Sequence, residues 1–324
     1  GQTLTIVIGS PSSAANLQHG AATVDFGDPI LGGGNLTING GIMAADSGSN
    51  SVVDFSAAAT LGTVSITATS AGTEHNAGTF TITDIAGGNV TASGDFTVTG
   101  GTGGAIDGTV GATTISAATG TSAVTGTRLL QGGVGGVAAT AVTAQAGGAL
   151  TITEHDGAVS GGTYTLRGGA GGAGATNTGG DSGDGGLLTI TEHDGAVSNT
   201  TLNIAGGAGG DGAAGDGGAG GEFTITAFAG AITSGTVNIA GGTGGDGIAD
   251  VSTGIGGAGG SQAAVGTITS NIGADGASVI LNITGGNAGA AGAGTSTAGA
   301  AAGAGGAVAT DLDFTTGAIF ANTT

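Results

Sequence analysis

Apolar and polar residues alternate along short runs of this chain. Leu150-Thr151-Ile152-Thr153, Phe223-Thr224-Ile225-Thr226 and Phe96-Thr97-Val98-Thr99 each put apolar residues on one side and threonine on the other. That period of two is the mark of half-buried strands. Apolar residues do not recur at spacings of three and four, and glycine interrupts every long run, so the pattern predicts strands and no helices.

The runs recur as a unit. Leu150–Ser160 and Leu188–Ser198 are identical in sequence, and Phe223–Thr233 is a third copy. Each copy leads through a short turn to a second run that ends in paired glycines: Thr163–Gly169, Thr201–Gly207 and Thr236–Gly242, with Ile280–Gly286 belonging to the same set. Upstream, Phe80–Asp84 leads to Phe96–Gly101, and Thr114–Ser116 leads to Leu129–Gly133. The glycine pairs starting at Gly100, Gly132, Gly168, Gly206, Gly241 and Gly285 are spaced by 32, 36, 38, 35 and 44 residues. One such unit cannot bury its own apolar edge, whereas a stack of them can.

The expectation is an all-β, elongated β-solenoid of stacked strands with glycine-rich loops on one side. Val, Ile, Leu and Phe point inward, threonine points outward, and rungs sit about 4.7–4.9 Å apart. Residues 1–78 read as a less regular β region, 79–306 as the repeats, and 307–324 as an incomplete last unit, all within one elongated domain.

The loops carry a period of their own. Glycine falls on every third residue from Gly206 to Gly221, and again at Gly168, Gly171 and Gly174 and at Gly254, Gly257 and Gly260. Two readings follow. One is polyproline-II-like segments with glycine wherever segments touch; the other is flexible loop, which glycine-rich composition alone favours. Collagen is excluded, because the chain has two prolines and the period is short-lived.

Composition narrows the function classes. There are 79 glycines among 324 residues, but 38 % of the chain is hydrophobic, which argues against a disordered tail. The 22 acidic residues face only two basic ones, Arg128 and Arg167, for a net charge of −20. Nucleic acid is excluded as a partner, since binding phosphates needs cations. Divalent cations are favoured. Cysteine is absent, so neither disulfides nor thiol chemistry enter. No apolar run approaches the ~20 residues of a membrane helix, so no membrane insertion is expected. The start at Gly1 and the absence of lysine suggest a mature secreted protein that lives among proteases.

Leu36-Thr-Ile-Asn-Gly-Gly41, the Phe-Thr-Ile-Thr strands and the Asn-Ile-Ala-Gly-Gly joints resemble glycine-rich bacterial β-solenoid surface proteins. Autotransporter passengers and filamentous-haemagglutinin-type adhesins are of this style. The resemblance implies an extracellular surface role and carries over no functional residue.

Glu154, His155 and Asp156, repeated as Glu192, His193 and Asp194, are the most enzyme-like residues. All three types do acid–base work or bind metal. A strand end followed by glycine predicts a solvated turn, although stacking of the units would bring His155 and His193 close enough to share a metal ion. Gly241–Ala249 fits the nonapeptide of calcium-binding β-rolls with Asp246 at the aspartate position, and Gly206–Ala214 fits it loosely with Asp211 there. Aspartate and carbonyl oxygens suit Ca²⁺. Thr-x-Thr pairs resemble the ice-binding face of β-helical antifreeze proteins, while β-propensity alone already predicts threonine on outer faces. Asn203, Asn238 and Asn282 suit internal side-chain ladders.

No convergent polar cluster survives across the repeats, so no enzyme is expected. The expected role is an extracellular structural subunit of a filament, sheath or surface layer; an adhesin for a receptor or glycan and an ice-binding protein are the alternatives. Copies would join head to tail, the strand holding Leu4, Ile6 and Ile8 completing the unit that holds Leu312, Phe314, Ile319 and Phe320.

Overall fold

Strands here pair with their own counterparts one repeat further along the chain, and every pairing is parallel. The computed structural model describes residues 3–7, 23–25, 35–39, 42–43, 51–54, 59–61, 63–67, 70–71, 80–84, 90–92, 96–100, 113–115, 122–124, 127–138, 143–155, 158–174, 181–212, 216–247, 262–268, 279–290 and 304. Among these residues there is no helix. The chain is an all-β solenoid of stacked parallel strands.

Three long sheets form its sides. The first has nine strands: Thr3–Val7, Asn35–Asn39, Val64–Thr67, Phe96–Thr99, Thr127–Gln131, Thr163–Arg167, Thr200–Ala205, Gly235–Ala240 and Val279–Thr284. The second has eight: Thr23–Asp25, Ser51–Asp54, Phe80–Asp84, Thr113–Ile115, Leu150–Ile152, Leu188–Ile190, Phe223–Phe228 and Gln262–Ile268. A third, narrower sheet joins Ala59–Leu61, Val90–Ala92, Ser122–Val124, Val159–Ser160 and Val197–Ser198, and an isolated bridge extends it to Ile232. A two-stranded pair, Ile42–Met43 with Ser70–Ala71, completes the set. One turn of the solenoid therefore runs Leu150–Ile152, Val159–Ser160, Thr163–Arg167, then out through glycines and back to Leu188. The segment expected to be a simple turn contains the third side. The strands described within 1–78 lie in these same sheets.

Alternation decides which residues face inward. Leu36, Val64, Tyr164, Leu202 and Val237 share one buried column of the first sheet, and Ile38, Ile66, Val98, Leu130, Leu166, Ile204 and Ile239 share the next. Leu150, Leu188 and Phe223, with Ile152, Ile190 and Ile225, line the second sheet, and Val159, Val197 and Ile232 close the third. All of them belong to one core cluster. Hydrogen-bonded partners on neighbouring rungs lie 28, 32, 36, 38, 35 and 44 residues apart. Apart from the first, these are the spacings of the glycine pairs.

The glycine segments are ordered. Outgoing segments 132–138, 168–174, 206–212, 241–247 and 285–290 stack on one another, and returning segments 143–149, 181–187 and 216–222 stack beside them. Within the outgoing layer every third N–H donates to the next rung: Gly206 to Ala240, Gly209 to Thr243 and Gly212 to Asp246. Between the layers the bonds climb as a staircase. Gly148 N–H donates to Gly133, Gly169 to Gly148, Gly186 to Gly169, Gly207 to Gly186, Gly221 to Gly207 and Gly242 to Gly221. Three residues per turn without internal bonds is the polyproline II pattern. It leaves two of every three residues in backbone contact. A Cβ on Gly206 would meet the Gly221 carbonyl across the layers, and one on Gly207 would meet the Gly169 carbonyl on the rung before. The third residue of the triplet is left out of these close contacts: Ala208, Asp211, Thr243 and Asp246 are exposed, and Ala170 and Ala173 are half-buried.

Candidate functional site

The second sheet ends in the turns that carry the candidate acid–base residues. Strict alternation would put the residue two beyond the outward threonine outward again, but the turn that follows the strand breaks the alternation and swings that residue inward. His155 and His193 are therefore buried at 2 % and 0 % exposure rather than sitting in a solvated turn. Phe228 holds the same place one rung later and is also buried. The three rings form a column: His155 and His193 stack with centroids 4.5 Å apart and planes within 5°, and His193 and Phe228 stack at 4.3 Å and 10°.

Stacking sets how the two histidines present their nitrogen lone pairs. Imidazole lone pairs lie in the ring plane. Two parallel stacked rings aim them side by side, not at a point between the rings. Glu192 and Asp194 are exposed and Glu154 is half-buried, so the flanking carboxylates do not share the histidines' interior position. Asp156 lies outside the described residues. Among the described residues no group of three His, Asp or Glu side chains is gathered as for a metal.

Across the interior stand two residues that sequence reading left out. Arg128 occupies the inward column of the first sheet, in register with Phe96 on one side and Tyr164 on the other. Its guanidinium lies over the Tyr164 ring at 5.3 Å from the centroid, a cation–π arrangement. Tyr164 is 6.0 Å from the His155 ring and 6.4 Å from the His193 ring. Arg128 is 2 % exposed and Tyr164 0 %. The signal was available: Thr127-Arg-Leu-Leu-Gln131 aligns with Thr163-Tyr-Thr-Leu-Arg167, which puts Arg128 at an inward position.

Burial controls the charge states here. It lowers the Arg128 pKa from its usual value, with the Tyr164 hydroxyl opposing. It raises the Tyr164 hydroxyl to about 12. It lowers His193 to about 4, helped by Arg128. His155 falls well below the ordinary histidine range, through burial first and then the charges of His193 and Arg128. At neutral pH the imidazoles are uncharged. The cluster is a tyrosine, two neutral histidines and one cation sealed inside the solenoid.

The outer surfaces are regular. Asn282 donates its side-chain amide to Asn238 and Asn238 to Asn203, each at 2.8 Å, and Asn203 donates to the Thr165 hydroxyl at 3.3 Å. An asparagine ladder is present, but it runs along the outer face of the first sheet and not inside, because the asparagines take the outward positions of the alternation. Asp211 and Asp246 lie in one exposed column of the glycine layer. The Asp211 carboxylate accepts the Asp246 backbone N–H at 3.0 Å, and the Asp246 carboxylate accepts that of Ala290 at 2.7 Å. On the returning layer Asp184 accepts from Ala219 and Asp181 from Asp216. These aspartates satisfy N–H groups of exposed triplet positions, which the glycine network leaves unbonded.

Of the assembly residues, Leu4 is 52 % exposed on the first strand and Ile6 packs partly buried against the core. Ile8, Leu312, Phe314, Ile319 and Phe320 lie outside the described residues. No helix among the described residues is long and apolar enough to cross a membrane.

No known family model matches the chain, and comparisons with curated proteins and with solved structures found no match.

Proposed function

We propose that this chain is an extracellular structural rod, a subunit of a fibre, sheath or surface layer built from copies of itself. The observation that carries the reading is where the chemistry lies. Arg128, Tyr164, His155 and His193 are 0–2 % exposed, and a reacting group needs access to substrate. What the solenoid presents outward is repetition: threonines, asparagines and the free positions of the glycine triplets, each in register from rung to rung. Repetition of that kind suits length and lateral regularity. The style of the repeats, close to that of bacterial β-solenoid surface proteins, points the same way.

Negative-stain electron microscopy of the purified chain over a range of concentrations tests the reading. Filaments or sheets are expected. Isolated rods at every concentration would replace it with the adhesin reading.

A further inference from the structure

Each wide sheet of the solenoid is continued by one glycine layer. The first sheet runs on into the outgoing segments, and the returning segments lead into the second sheet. The two layers bond to each other through their glycines, so their third residues face away from one another. The molecule therefore has two broad sides: first sheet with outgoing layer, and second sheet with returning layer.

Charge is divided unequally between these sides over the middle rungs. On the first side, residues 127–138, 163–174 and 200–210 place one charged side chain outward, Arg167, and no carboxylate. Its Nε and Nη2 donate to the Gln131 side-chain oxygen on the previous rung at 3.0 and 2.8 Å. The first carboxylate of that side is Asp211, six residues beyond Ala205, the rung partner of Arg167, or about 19 Å outward. On the second side the returning layer carries exposed Asp181 and Asp184, with Asp216 and Glu222 half-buried on the next rung. At a net charge of −20, copies of the chain repel one another. The exception is the approach that sets Arg167 against the acidic side.

Apolar side chains stand beside these charges. Val134 and Val137 are exposed on the first side, and Leu187 is exposed on the second. Gln131, which holds the Arg167 guanidinium, lies three residues before Val134; Asp184 lies three residues before Leu187. Three residues of polyproline II span about 9 Å. Both sides thus carry a charge and an apolar side chain about 9 Å apart on one rung. The order is opposite: outward from the sheet, the cation precedes Val134, whereas Leu187 precedes Asp184. A copy turned end for end brings both pairs together. A nucleic acid would need a run of cations, and this side offers one. Five strand residues and six polyproline II residues make the first side about 35 Å wide. Over the five described outgoing segments that is roughly 800 Å², one partner's share of a standard interface.

We infer that copies of this chain stack broad side on broad side, each turned end for end on the one beneath. Arg167 and Val134 of one copy meet Asp184 and Leu187 of the next. The contact joins unlike surfaces, so every added copy leaves one of each kind free and the stack propagates. This rests on the proposed structural role and gives that assembly its lateral direction.

Sedimentation velocity and negative-stain electron microscopy compare the full chain with Arg167→Glu, with Asp184→Arg and with an equimolar mixture of the two. Side-by-side stacks are expected in the unaltered chain. In either variant alone the assembly concentration should rise about tenfold, as an exposed pair lost and a like-charge clash gained together allow. The mixture should recover the stacks, because each reversed side then meets its complement. Asp184→Arg gives up the bond from the Ala219 N–H. If it loses the far-ultraviolet spectrum of the parent, Leu187→Asp replaces it and should abolish the stacks. Stacks formed by Arg167→Glu as readily as by the parent overturn the inference, as do a folded mixture that fails to recover them and stacks that survive Leu187→Asp. Filaments one rod wide in the unaltered chain overturn it while leaving the structural role standing; isolated rods at every concentration remove both.

Discussion

His193 is the residue on which the pH response of this fold turns. Buried between the rings of His155 and Phe228, it stays neutral to about pH 4, while in the unfolded chain it takes a proton near pH 6.5. Above 6.5 both states are neutral, and the group contributes nothing to pH dependence. As pH falls below that, only the unfolded chain binds the proton, so stability drops until about pH 4. At 1.36 kcal/mol per pKa unit, His193 alone removes about 3 kcal/mol over that window. His155 acts in the same direction, with Arg128 nearby to oppose a second positive charge. Urea unfolding at pH 7 and pH 4.5 should show a marked fall for the parent. In His193→Phe, which copies the ring of Phe228, the fall should be smaller by His193's share. Equal falls in the two proteins would mean that the ring is not buried in solution.

Glycine acts at the scale of the element, where one substitution has opposite outcomes at neighbouring positions. In the triplet Gly206-Gly207-Ala208 the first residue abuts the returning layer, the second abuts the rung before, and the third is exposed. Gly207→Ala forces its methyl into the Gly169 carbonyl, a backbone atom held in the staircase of interlayer bonds. Overpacking of this kind typically costs about 1–3 kcal/mol. Ala208→Ser, one residue on, should stay within about 0.5 kcal/mol of the parent, as open surface positions do. Thermal melts of the pair check both values. If Gly207→Ala melts with the parent, the segments are not packed as layers. Composition alone left order and flexibility open here, because the deciding contacts join residues half a repeat to a whole repeat apart. The clue in the sequence was the doubled glycine of each triplet, which a merely flexible loop has no need to repeat.

Whole-molecule stability is read from the two arginines. They are the only sites in the chain for a trypsin-like protease. Arg128 is sealed in the core, and Arg167 is exposed but lies in a strand paired on both sides. Proteases cut loop tips and locally open segments rather than paired strands. The native chain should therefore remain intact in trypsin, and cleavage at both sites should appear together as urea opens the stack. Time courses on denaturing gels with added urea measure this. Early cutting at Arg167 alone, without denaturant, would show that the rungs around it open independently of the rest.

The sequence by itself determined the strands, their inward and outward sides, and the step from rung to rung, because these follow from local alternation and from repetition along one chain. Hydrogen-bonded partners lie 32, 36, 38, 35 and 44 residues apart, as the glycine pairs do. Only the tertiary structure decided the rest. The third side runs through two-residue strands such as Val159–Ser160, too short to show a period. The Glu-His-Asp turn looked solvated because turn chemistry is local. What turned His155 and His193 inward is the column of rings above and below them, and Ala227-Phe228-Ala229 in the third copy was the one trace of it in the sequence. Arg128 reads as a surface cation until register sets it over Tyr164. In each case the deciding partner lies one rung away in space and about one repeat away along the chain, where alternation within a strand carries no information.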